Sequence, residues 1–460
     1  MRALKSSIAS TRSTTFPMAR IYPFRAWRYN PSAVRLNDVV TQPYDKISPA
    51  MQQAYYQRSP YNLVRIILGL PELFDAERGE SVYTRAARDF KAWREAGVLA
   101  QEKDPCVFAY AQRFTVPGTQ TVKERRGFIA LGKLHDYAEQ VVFRHEQTLA
   151  KPKSDRLNLL KATRAHFGQI FMLYSDPAKT VESILYDGNG TPDAEVTDEY
   201  GVVHRVWRVS DAATIRLLTT AMADKKLIIA DGHHRYETAL NYAREWTNEH
   251  AAAPTKQETS ATHLPQPSRP EAAVMMTFVN MDAEGLVILP THRVVHGLEN
   301  FDSKVFLNAA EEFFTVDSLP QQEAQQLIET LQRQSGTAFV AVTRSGDFLL
   351  QAKPESDRAL HAIPERLRQL DLTHLHTLVL ERLLGLDAGK VREETNIRYL
   401  RDAAEAVDQV RRGEADITFL TNPVTMEQLR EVAFAGDVMP QKSTDFFPKL
   451  LSGLTIYALD

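Results

Sequence analysis

The sequence has a single cysteine and lacks any long apolar run. With only Cys106 among 460 residues, an intramolecular disulfide is excluded, and so is a zinc site built from several cysteines. No apolar stretch approaches the roughly 20 residues that a membrane span requires. The formal net charge of −3 offers no general attraction for nucleic acid or anionic membranes. These absences predict a cytoplasmic protein without a membrane or nucleic-acid partner, in which any anion site is local.

The beginning of the chain lacks acidic side chains. Residues 1–17 contain three basic residues and several hydroxyls, and no acid occurs before Asp38. This composition is typical of a disordered tail, and equally of an organellar transit peptide or of an upstream start codon ahead of Met18. We interpret residues 1–17 as a disordered or targeting extension. The predicted location becomes organellar if they are a transit peptide.

Length and patterning predict two α/β regions. A chain of 460 residues exceeds one ordinary core. Strand-like and helical patterns alternate along it, which favours an α/β or mixed α+β class. We predict a core domain over residues 18–300 and a second α/β domain over 301–460, whose polar tail returns to the functional site. Residues 248–273, rich in Ala, Pro and Thr, are predicted to be a mobile insertion in the core domain.

The strongest chemical signal is a turn between a strand and a helix. The apolar run LIIA is followed at once by Asp231, Gly232, His233, His234 and Arg235, and then by a helical pattern. Gly232 lets the backbone approach a ligand closely, and the first helix amides point at the same place. Arg235 adds a planar fork suited to phosphate oxygens, while Asp231 either caps the helix or holds a divalent cation. The turn predicts an anion site; the alternative is a capped structural helix with two satisfied histidines.

A second polar cluster follows another apolar pair upstream. Arg144, His145 and Glu146 come after VVF, and several lysines and arginines follow them. A carboxylate among cations normally ionises easily, so the pKa of Glu146 is predicted to be lowered. Glu146 is then the candidate base for a hydroxyl that is held near phosphate. The alternative is a solvated charged loop.

Three further motifs are weaker. Lys442, Ser443 and Thr444 form a combination typical of phosphate binding, although no glycine-rich loop precedes them. The motifs QPYDKIS and LPTHR each fit ordinary turn chemistry when taken alone. Because polar motifs on loops commonly converge on one pocket, we predict that all five motifs meet in one site. The residues predicted to contact substrate are Tyr44, Asp45, His292 and Arg293.

Five motifs together carry a resemblance to a known family. In chain order they are QPYDKIS, FRHEQT, IADGHHRYETA, LPTHR and MPQKSTDFFPKLLSGL. By these motifs the chain resembles, over essentially everything after Met18, the bacterial and archaeal family called domain of unknown function 1015. Its turn at residues 231–235 is similar to that of the ParB-like and sulfiredoxin-like superfamily, which includes chromosome-partitioning nucleoside-triphosphate switches and free-serine kinases. The resemblance implies a phosphate-binding core of that superfamily.

The resemblance also implies roles for single residues. Residues 231–235 would hold phosphate, with Mg²⁺ alongside on Asp231, and Glu146 would be the base. The family's occurrence beside serine-biosynthesis genes favours serine or phosphoserine as substrate, with a nucleotide or another phosphate donor. The predicted catalytic residues are Glu146, His145, His233 and Asp231. The predicted phosphate- or nucleotide-binding residues are Gly232, His234, Arg235, Arg144, Lys442, Ser443 and Thr444.

The predicted function is phosphotransfer on a small hydroxylated metabolite, in either the kinase or the phosphatase direction. Such catalysis depends mostly on positioning and on neutralising oxygen charge. One alternative is a metal-dependent hydrolase. Its predicted ligands are His145, His233, His234 and His292. Another alternative is a nucleotide-binding switch without turnover, for which no basic DNA-recognition helix is evident.

Overall fold

The computed structural model describes five stretches of the chain: residues 19–71, 79–147, 150–188, 190–250 and 264–460. The predicted extension at 1–17 lies outside the described residues, as does half of the insertion predicted at 248–273. Among the helices of these stretches, none combines the length and the apolar character that a membrane crossing needs.

The larger sheet mixes parallel with antiparallel strand pairs. Within the described residues it has nine strands. Their spatial order is Val142–Phe143, Leu227–Asp231, Ile170–Tyr174, Ala273–Asn280, Val122–Lys133, Val107–Thr115, Val203–Val209 and Ala194–Thr197, with Ile21–Tyr22 paired to Val122–Lys133. Ala273–Asn280 is buried at every position, as expected for a central strand covered on both faces. The mixed α/β class predicted from the sequence is confirmed.

Helices of the first part of the chain follow local capping signals. Ser48 caps the helix Pro49–Arg58, and Ser81 forms a capping box with Thr84 at the start of Val82–Glu95. The other α-helices here are Leu36–Val39, Val64–Ile67, Ala150–Thr163, Thr180–Tyr186, Ala212–Met222 and His233–Glu249, and the 3₁₀ turns are Tyr44–Lys46, Tyr137–Glu139 and Pro270–Ala272. The helix His233–Glu249 buries Tyr236 and Ala239, so its first turn is fixed by packing.

The second sheet lies in the C-terminal part of the chain. Its spatial order is Phe314–Leu319, Gly346–Ala352, Ala338–Thr343, Ile417–Leu420, His292–Val295 and Ile397–Leu400. The strand His292–Val295 precedes residue 301, so the second sheet begins earlier than the predicted domain boundary, because LPTHRVV pairs with Ile417–Leu420. Its α-helices are Ser303–Ala310, Ala324–Gln332, Pro354–Ala359, Glu365–Arg368, Asp371–His374, Ala388–Glu393, Ala403–Arg411 and Met426–Phe434, and Leu375–Leu383 is a π-helix.

The C-terminal tail returns to the first part of the chain. Its strand Asp445–Phe447 pairs with Val287–Leu289, and Tyr457–Ala458 pairs with Ala165–His166. A further two-stranded pair joins Trp27–Tyr29 to Leu99–Gln101. Phe446 of the tail packs against Phe171 of the larger sheet, with ring centroids 5.5 Å apart. The tail therefore crosses the edge of the larger sheet at which the strand Leu227–Asp231 ends.

Candidate functional site

Two predicted motifs meet because their strands are parallel neighbours. Leu227–Asp231 pairs in parallel with Val142–Phe143, in the register Leu227 to Val142 and Ile228 to Phe143. The carboxyl ends of parallel neighbours lie at the same sheet edge. The chain leaves one strand into Arg144–Glu146 and the other into Gly232 and the helix that follows. The two motifs predicted to be functional are thus side by side.

Asp231 is the centre of a buried ion-pair cluster. Its carboxylate accepts from Arg235 Nη2 at 2.7 Å and from Lys449 Nζ at 3.3 Å. Lys449 also lies 3.0 Å from Asp445 Oδ1, and Arg401 contacts the other oxygen of Asp445 at 2.6 Å. Burial by itself raises the pKa of Asp231, but Lys449 and Arg235 outweigh it and hold that pKa well below its usual range. Burial likewise opposes the charge of Lys449, whose pKa its two carboxylates nevertheless raise.

Arg235 is paired within the protein, and its role as a phosphate ligand stays a prediction. Besides its ion pair with Asp231, its Nη1 donates to the carbonyl oxygen of Gln169. Gly232 has φ = 92°, and a Cβ there would lie 3.1 Å from the Arg235 guanidinium. The glycine therefore makes room for the protein's own arginine. Asp231 is the last residue of its strand and pairs with Arg235 across the turn at Gly232.

Glu146 lies beside two neutral histidines. Its Oε2 is 3.9 Å from His233 Nδ1, and the rings of His145 and His233 make an edge contact with centroids 4.8 Å apart. Burial lowers the pKa of His145 to about 4 and takes that of His233 well below its usual range. His145 Nε2 lies 2.8 Å from Thr444 Oγ1, which ties it to the C-terminal tail. Among the described residues, His233 Nε2 is buried without a hydrogen-bond partner.

The pKa of Glu146 moves opposite to the prediction. Burial raises it to about 6, although Lys442, Lys449 and Lys46 all act to lower it. The expected lowering was inferred from neighbouring cations alone. In the structure the side chain is only 26% exposed, and the loss of water outweighs the lysines. A carboxyl group with this pKa exchanges protons near neutral pH.

A polar cavity of about 340 Å³ adjoins this cluster. Four cationic residues from three segments of the chain line it: Lys46, Arg401, and the pair Lys442 and Lys449 of the tail. Burial and the neighbouring Lys449 lower the pKa of Lys46. Lys442 is the most open of the lysines, with its side chain 46% exposed and its Nζ 4.0 Å from Glu394. Three acids, Asp198, Glu394 and Asp445, line the cavity too, so the four cations exceed the acids by one. That small excess of positive charge suits an anionic ligand.

Several predicted ligand contacts instead hold the protein together. His292 and Arg293, predicted as substrate contacts, are 1% and 0% exposed and are engaged within the protein. Arg293 Nη2 donates to the carbonyl oxygens of Gln441 and Lys442, both at 3.1 Å, and His292 Nδ1 accepts from the Thr421 amide at 3.3 Å. Both residues lie on an interior strand of the second sheet. Arg293 holds the loop that contains Gln441 and Lys442, the Lys442 loop.

Ser443 and Tyr44 are also engaged within the protein. Ser443, predicted as a phosphate ligand, is 3% exposed, and its hydroxyl donates to the carbonyl oxygen of Pro440 at 2.6 Å. The guanidinium of Arg156 lies over the ring of Tyr44, 4.1 Å from its centroid. Burial raises the pKa of the Tyr44 hydroxyl to about 12.

The remaining predicted residues, Arg144, Asp45 and His234, lie at the rim of the Asp231 cluster. Arg144 donates to Glu237 at 3.3 Å and has its guanidinium 5.0 Å from the ring centroid of Tyr137. Asp45 is exposed, and its charge acts on the ring of His234, whose pKa burial lowers. The 3₁₀ turn Tyr44–Lys46 therefore lies close to the beginning of the helix His233–Glu249. These contacts place parts of four motifs around Asp231.

Asp231 does not fit the predicted magnesium ligand. Both of its oxygens are engaged by cations, which repel a divalent ion. Within the described stretches, no group of three or more His, Cys, Asp and Glu side chains is arranged to hold a metal. His292 belongs to the second sheet and hydrogen-bonds Thr421, so the four-histidine ligand set predicted for a hydrolase does not assemble.

Three cations and one acid of the cluster were missed from the sequence: Lys46, Arg401, Lys449 and Asp445. Lys449 and Asp445 stand in the quoted tail motif, four residues apart, and Lys46 stands in QPYDKIS. Their presence inside motifs already singled out was the available signal. Arg401 had none, because only the pairing of Ile397–Leu400 with His292–Val295 brings it to the tail.

The fold and the site together define a mixed α/β protein with a buried ion-pair cluster and a cationic cavity at a sheet edge. The chain matches the family described as "Protein of unknown function (DUF1015)" over residues 21–373, and it belongs to that family. No curated protein matches the chain. The family description names no activity, so the function has to be inferred from the site.

Some solved structures resemble the chain distantly. A conserved hypothetical protein from Pyrococcus furiosus has 12% identity and a TM-score of 0.35, covering 71% of this chain and 94% of that one. A free serine kinase in complex with AMP has 13% identity and a TM-score of 0.36, covering 71% and 92%. SbnI with a C-terminal truncation, from Staphylococcus aureus, has 10% identity and a TM-score of 0.35, covering 72% and 87%.

Proposed function

We propose that this protein is a phosphotransfer enzyme acting on a small hydroxylated metabolite. The observation that carries the proposal is the position of Glu146. Its carboxyl group has a pKa raised to about 6 by burial and lies in the field of Lys46, Lys442 and Lys449, three lysines that line one cavity. A proton acceptor poised near neutral pH beside clustered cations is the combination that phosphoryl transfer to a hydroxyl requires.

In the proposed reaction Glu146 takes the proton of the substrate hydroxyl. The hydroxyl oxygen forms a bond to the phosphorus of the donor, and the bond from that phosphorus to the leaving group breaks. Lys442 and Lys449 neutralise charge on the transferred oxygens. In the phosphatase direction, Glu146 takes a proton from water, and the water oxygen bonds to the phosphorus of the ester. The bond from that phosphorus to the metabolite oxygen breaks, and this oxygen takes the proton back from Glu146. Both directions use the same residues, because each deprotonates an attacking oxygen.

Arg235 and Asp231 position other groups in this proposal. Asp231 holds Lys449 at 3.3 Å, and Arg235 fixes the orientation of the Asp231 carboxylate from the other side. His233 and His145 remain neutral and pack beside Glu146, which keeps water away from it. The phosphate would therefore be bound by lysines from the tail and from the turn Tyr44–Lys46, rather than by Arg235.

Serine or phosphoserine is the substrate we propose, with a nucleotide as the phosphate donor. Both assignments rest on the resemblance of the turn at 231–235 to that of the superfamily containing free-serine kinases. The cavity volume of about 340 Å³ and its cationic lining suit a small phosphorylated metabolite. No magnesium step is included, because Asp231 is paired with Arg235 and Lys449.

Phosphorus NMR tests the proposal directly. The protein is incubated with serine and, separately, with ATP, ADP, CTP or pyrophosphate, with and without magnesium, and the reverse assay uses phosphoserine. We expect a new phosphorus resonance with at least one pair. We expect Glu146→Gln to lower its rate by about 10²–10⁴-fold, and Glu95→Gln, an exposed and distant change, to leave it unaltered.

Two other outcomes would contradict the proposal. Tight nucleotide binding without any transfer would favour the switch alternative. Turnover that survives Glu146→Gln at the normal rate would remove Glu146 from the chemistry. A second comparison uses Lys442→Met, expected to reduce kcat/KM by about 10²-fold through the loss of one charged contact. Its control is Lys91→Met, at a lysine whose side chain is 78% exposed.

A further inference from the structure

A second cavity lies in the C-terminal part of the chain, separate from the cluster at Asp231. Its volume is about 780 Å³, more than twice that of the cationic cavity at about 340 Å³. It lies between the segment that contains Glu365–Arg368 and Asp371–His374 and the beginning of the helix Met426–Phe434. None of the five sequence motifs contributes to its lining.

One buried wall residue of this cavity has an unused hydrogen-bond acceptor. His374 lines the cavity and is 2% exposed. Its Nε2 lies 2.7 Å from the carbonyl oxygen of Arg368, so Nε2 carries the hydrogen and Nδ1 is left as an acceptor. Nδ1 has no partner among the described residues. Leaving a buried acceptor unpaired is unfavourable, and a ligand that donates a hydrogen bond to it would offset that cost.

Opposite charges line the same cavity. Arg368 makes no ion pair within the described chain, and its buried Nε lacks a hydrogen-bond partner there. Asp371 also lines the cavity, and the side chains of Thr337 and Asn422 hydrogen-bond its carboxyl group. Burial raises the pKa of Asp371 to about 6 despite those bonds, so its negative charge is poorly compensated. An unpaired guanidinium and an uncompensated carboxylate favour a ligand that carries both a negative and a positive group.

We propose that this cavity binds a small zwitterion of the amino-acid class. The ligand carboxylate pairs with the Arg368 guanidinium, which offers a planar fork to it. The ligand ammonium donates to Asp371 and to His374 Nδ1. The proposal assigns a binding site outside the proposed catalytic residues, and the binding itself does not depend on phosphotransfer.

The helix that carries His374 also contacts the support of the Lys442 loop. His376 lies two positions later, in the π-helix Leu375–Leu383, and two positions on a helix point to roughly opposite sides. Arg293 Nε lies 3.3 Å from His376 Nε2, and Arg293 Nη2 donates to the carbonyl oxygens of Gln441 and Lys442 at 3.1 Å. A ligand that shifts this helix therefore acts on the Lys442 loop, which makes the cavity an effector site for the function proposed above.

Calorimetric titration with each of the twenty L-amino acids, one at a time, tests the binding. We expect at least one to bind saturably, and Arg368→Gln to weaken that affinity by about tenfold or more. Asp371→Asn, a second change on the other side of the ligand, is expected to weaken it similarly. Arg333→Gln, at an exposed arginine of the same region whose side chain is 76% exposed, is the control and is expected to bind normally. Circular dichroism confirms that each variant is folded.

Two results would overturn the proposal: no amino acid binds, or both Arg368→Gln and Asp371→Asn bind as well as the unchanged protein. Glu146→Gln separates this site from the proposed catalytic one, because it should slow transfer strongly while leaving this binding intact. Hydrogen exchange supplies the readout of coupling. The bound amino acid is expected to slow exchange at residues 365–374 and to change it at 441–444, and unchanged exchange at 441–444 would refute the effector role.

Discussion

Lys449→Met should destabilise the protein strongly, because Lys449 joins two buried carboxylates. Its side chain is 8% exposed, and those of Asp231 and Asp445 are 21% and 11% exposed. Breaking a buried ion pair typically costs about 3–5 kcal/mol, because the remaining charge is left uncompensated. Here each carboxylate keeps one arginine, Arg235 or Arg401, at 2.6–2.7 Å. We therefore expect the lower end of that range, about 3 kcal/mol.

The matched control is Lys442→Met in the same tail. Lys442 is 46% exposed and lies 4.0 Å from Glu394, itself 45% exposed, so this ion pair is screened by water. Exposed pairs contribute about 0–1 kcal/mol, and we expect the control to change the free energy of unfolding by less than about 1 kcal/mol. Urea unfolding followed by circular dichroism measures both variants. If both substitutions lowered the free energy of unfolding equally, the stabilisation attributed to the buried ion-pair cluster would be refuted.

Acid should narrow the difference in the free energy of unfolding between Lys449→Met and the unchanged protein. The pKa of Asp231 in the folded protein is held below its value in the unfolded chain, about 3.9. The stability that this carboxylate contributes is therefore present above that pH and is lost as the pH falls through the folded pKa. The free energies of unfolding of the two proteins, measured at successively lower pH, should converge. A difference that stays constant into acid would mean that Lys449 acts through packing instead of charge.

The other predictions concern the base, the turn and the histidines. If turnover is found, its rate should rise with pH through about 6 as Glu146 loses its proton, and a kcat/KM profile that is flat there would contradict its role. Gly232→Ala should destabilise the fold by at least about 1–2 kcal/mol in thermal unfolding, since φ is 92° and the new Cβ meets Arg235 at 3.1 Å. A chelator should leave the melting temperature unchanged, whereas stoichiometric zinc or manganese in the purified protein would restore the hydrolase alternative.

The sequence predicts the strand–turn–helix unit because its signals are local. The apolar run ending at Ala230, the glycine and the helical pattern after it fix the strand Leu227–Asp231 and the helix His233–Glu249. The convergence of this turn with Arg144–Glu146 follows from parallel pairing, which one sequence only suggests. The partner of Arg235 could not be deduced, because a guanidinium suits a bound phosphate and a nearby aspartate equally well.

The sequence predictions that differ from the structure mostly concern burial, which a local sequence pattern does not indicate. The pKa of Glu146 depends on how much water reaches its carboxyl group, and that is set by His233, His145 and the tail. His292 and Arg293 have the composition of a ligand site, yet a central strand places them in the interior. The π-helix Leu375–Leu383 lies in a stretch that predicts an ordinary helix, and the widening of its turns has no local signal in the sequence.

The return of the tail means that stability and function share residues at this site. Thr444 reaches His145, Lys449 reaches Asp231, and the strand Asp445–Phe447 is part of the fold. Changes at Lys449, Asp231 or Arg235 therefore alter folding and any activity together, and loss of activity in those variants would not identify a catalytic role. Glu146 and Lys442 are the positions where the two effects separate, because neither joins the buried Asp231–Lys449–Asp445 cluster. A functional role for this sheet edge is best judged at those two residues.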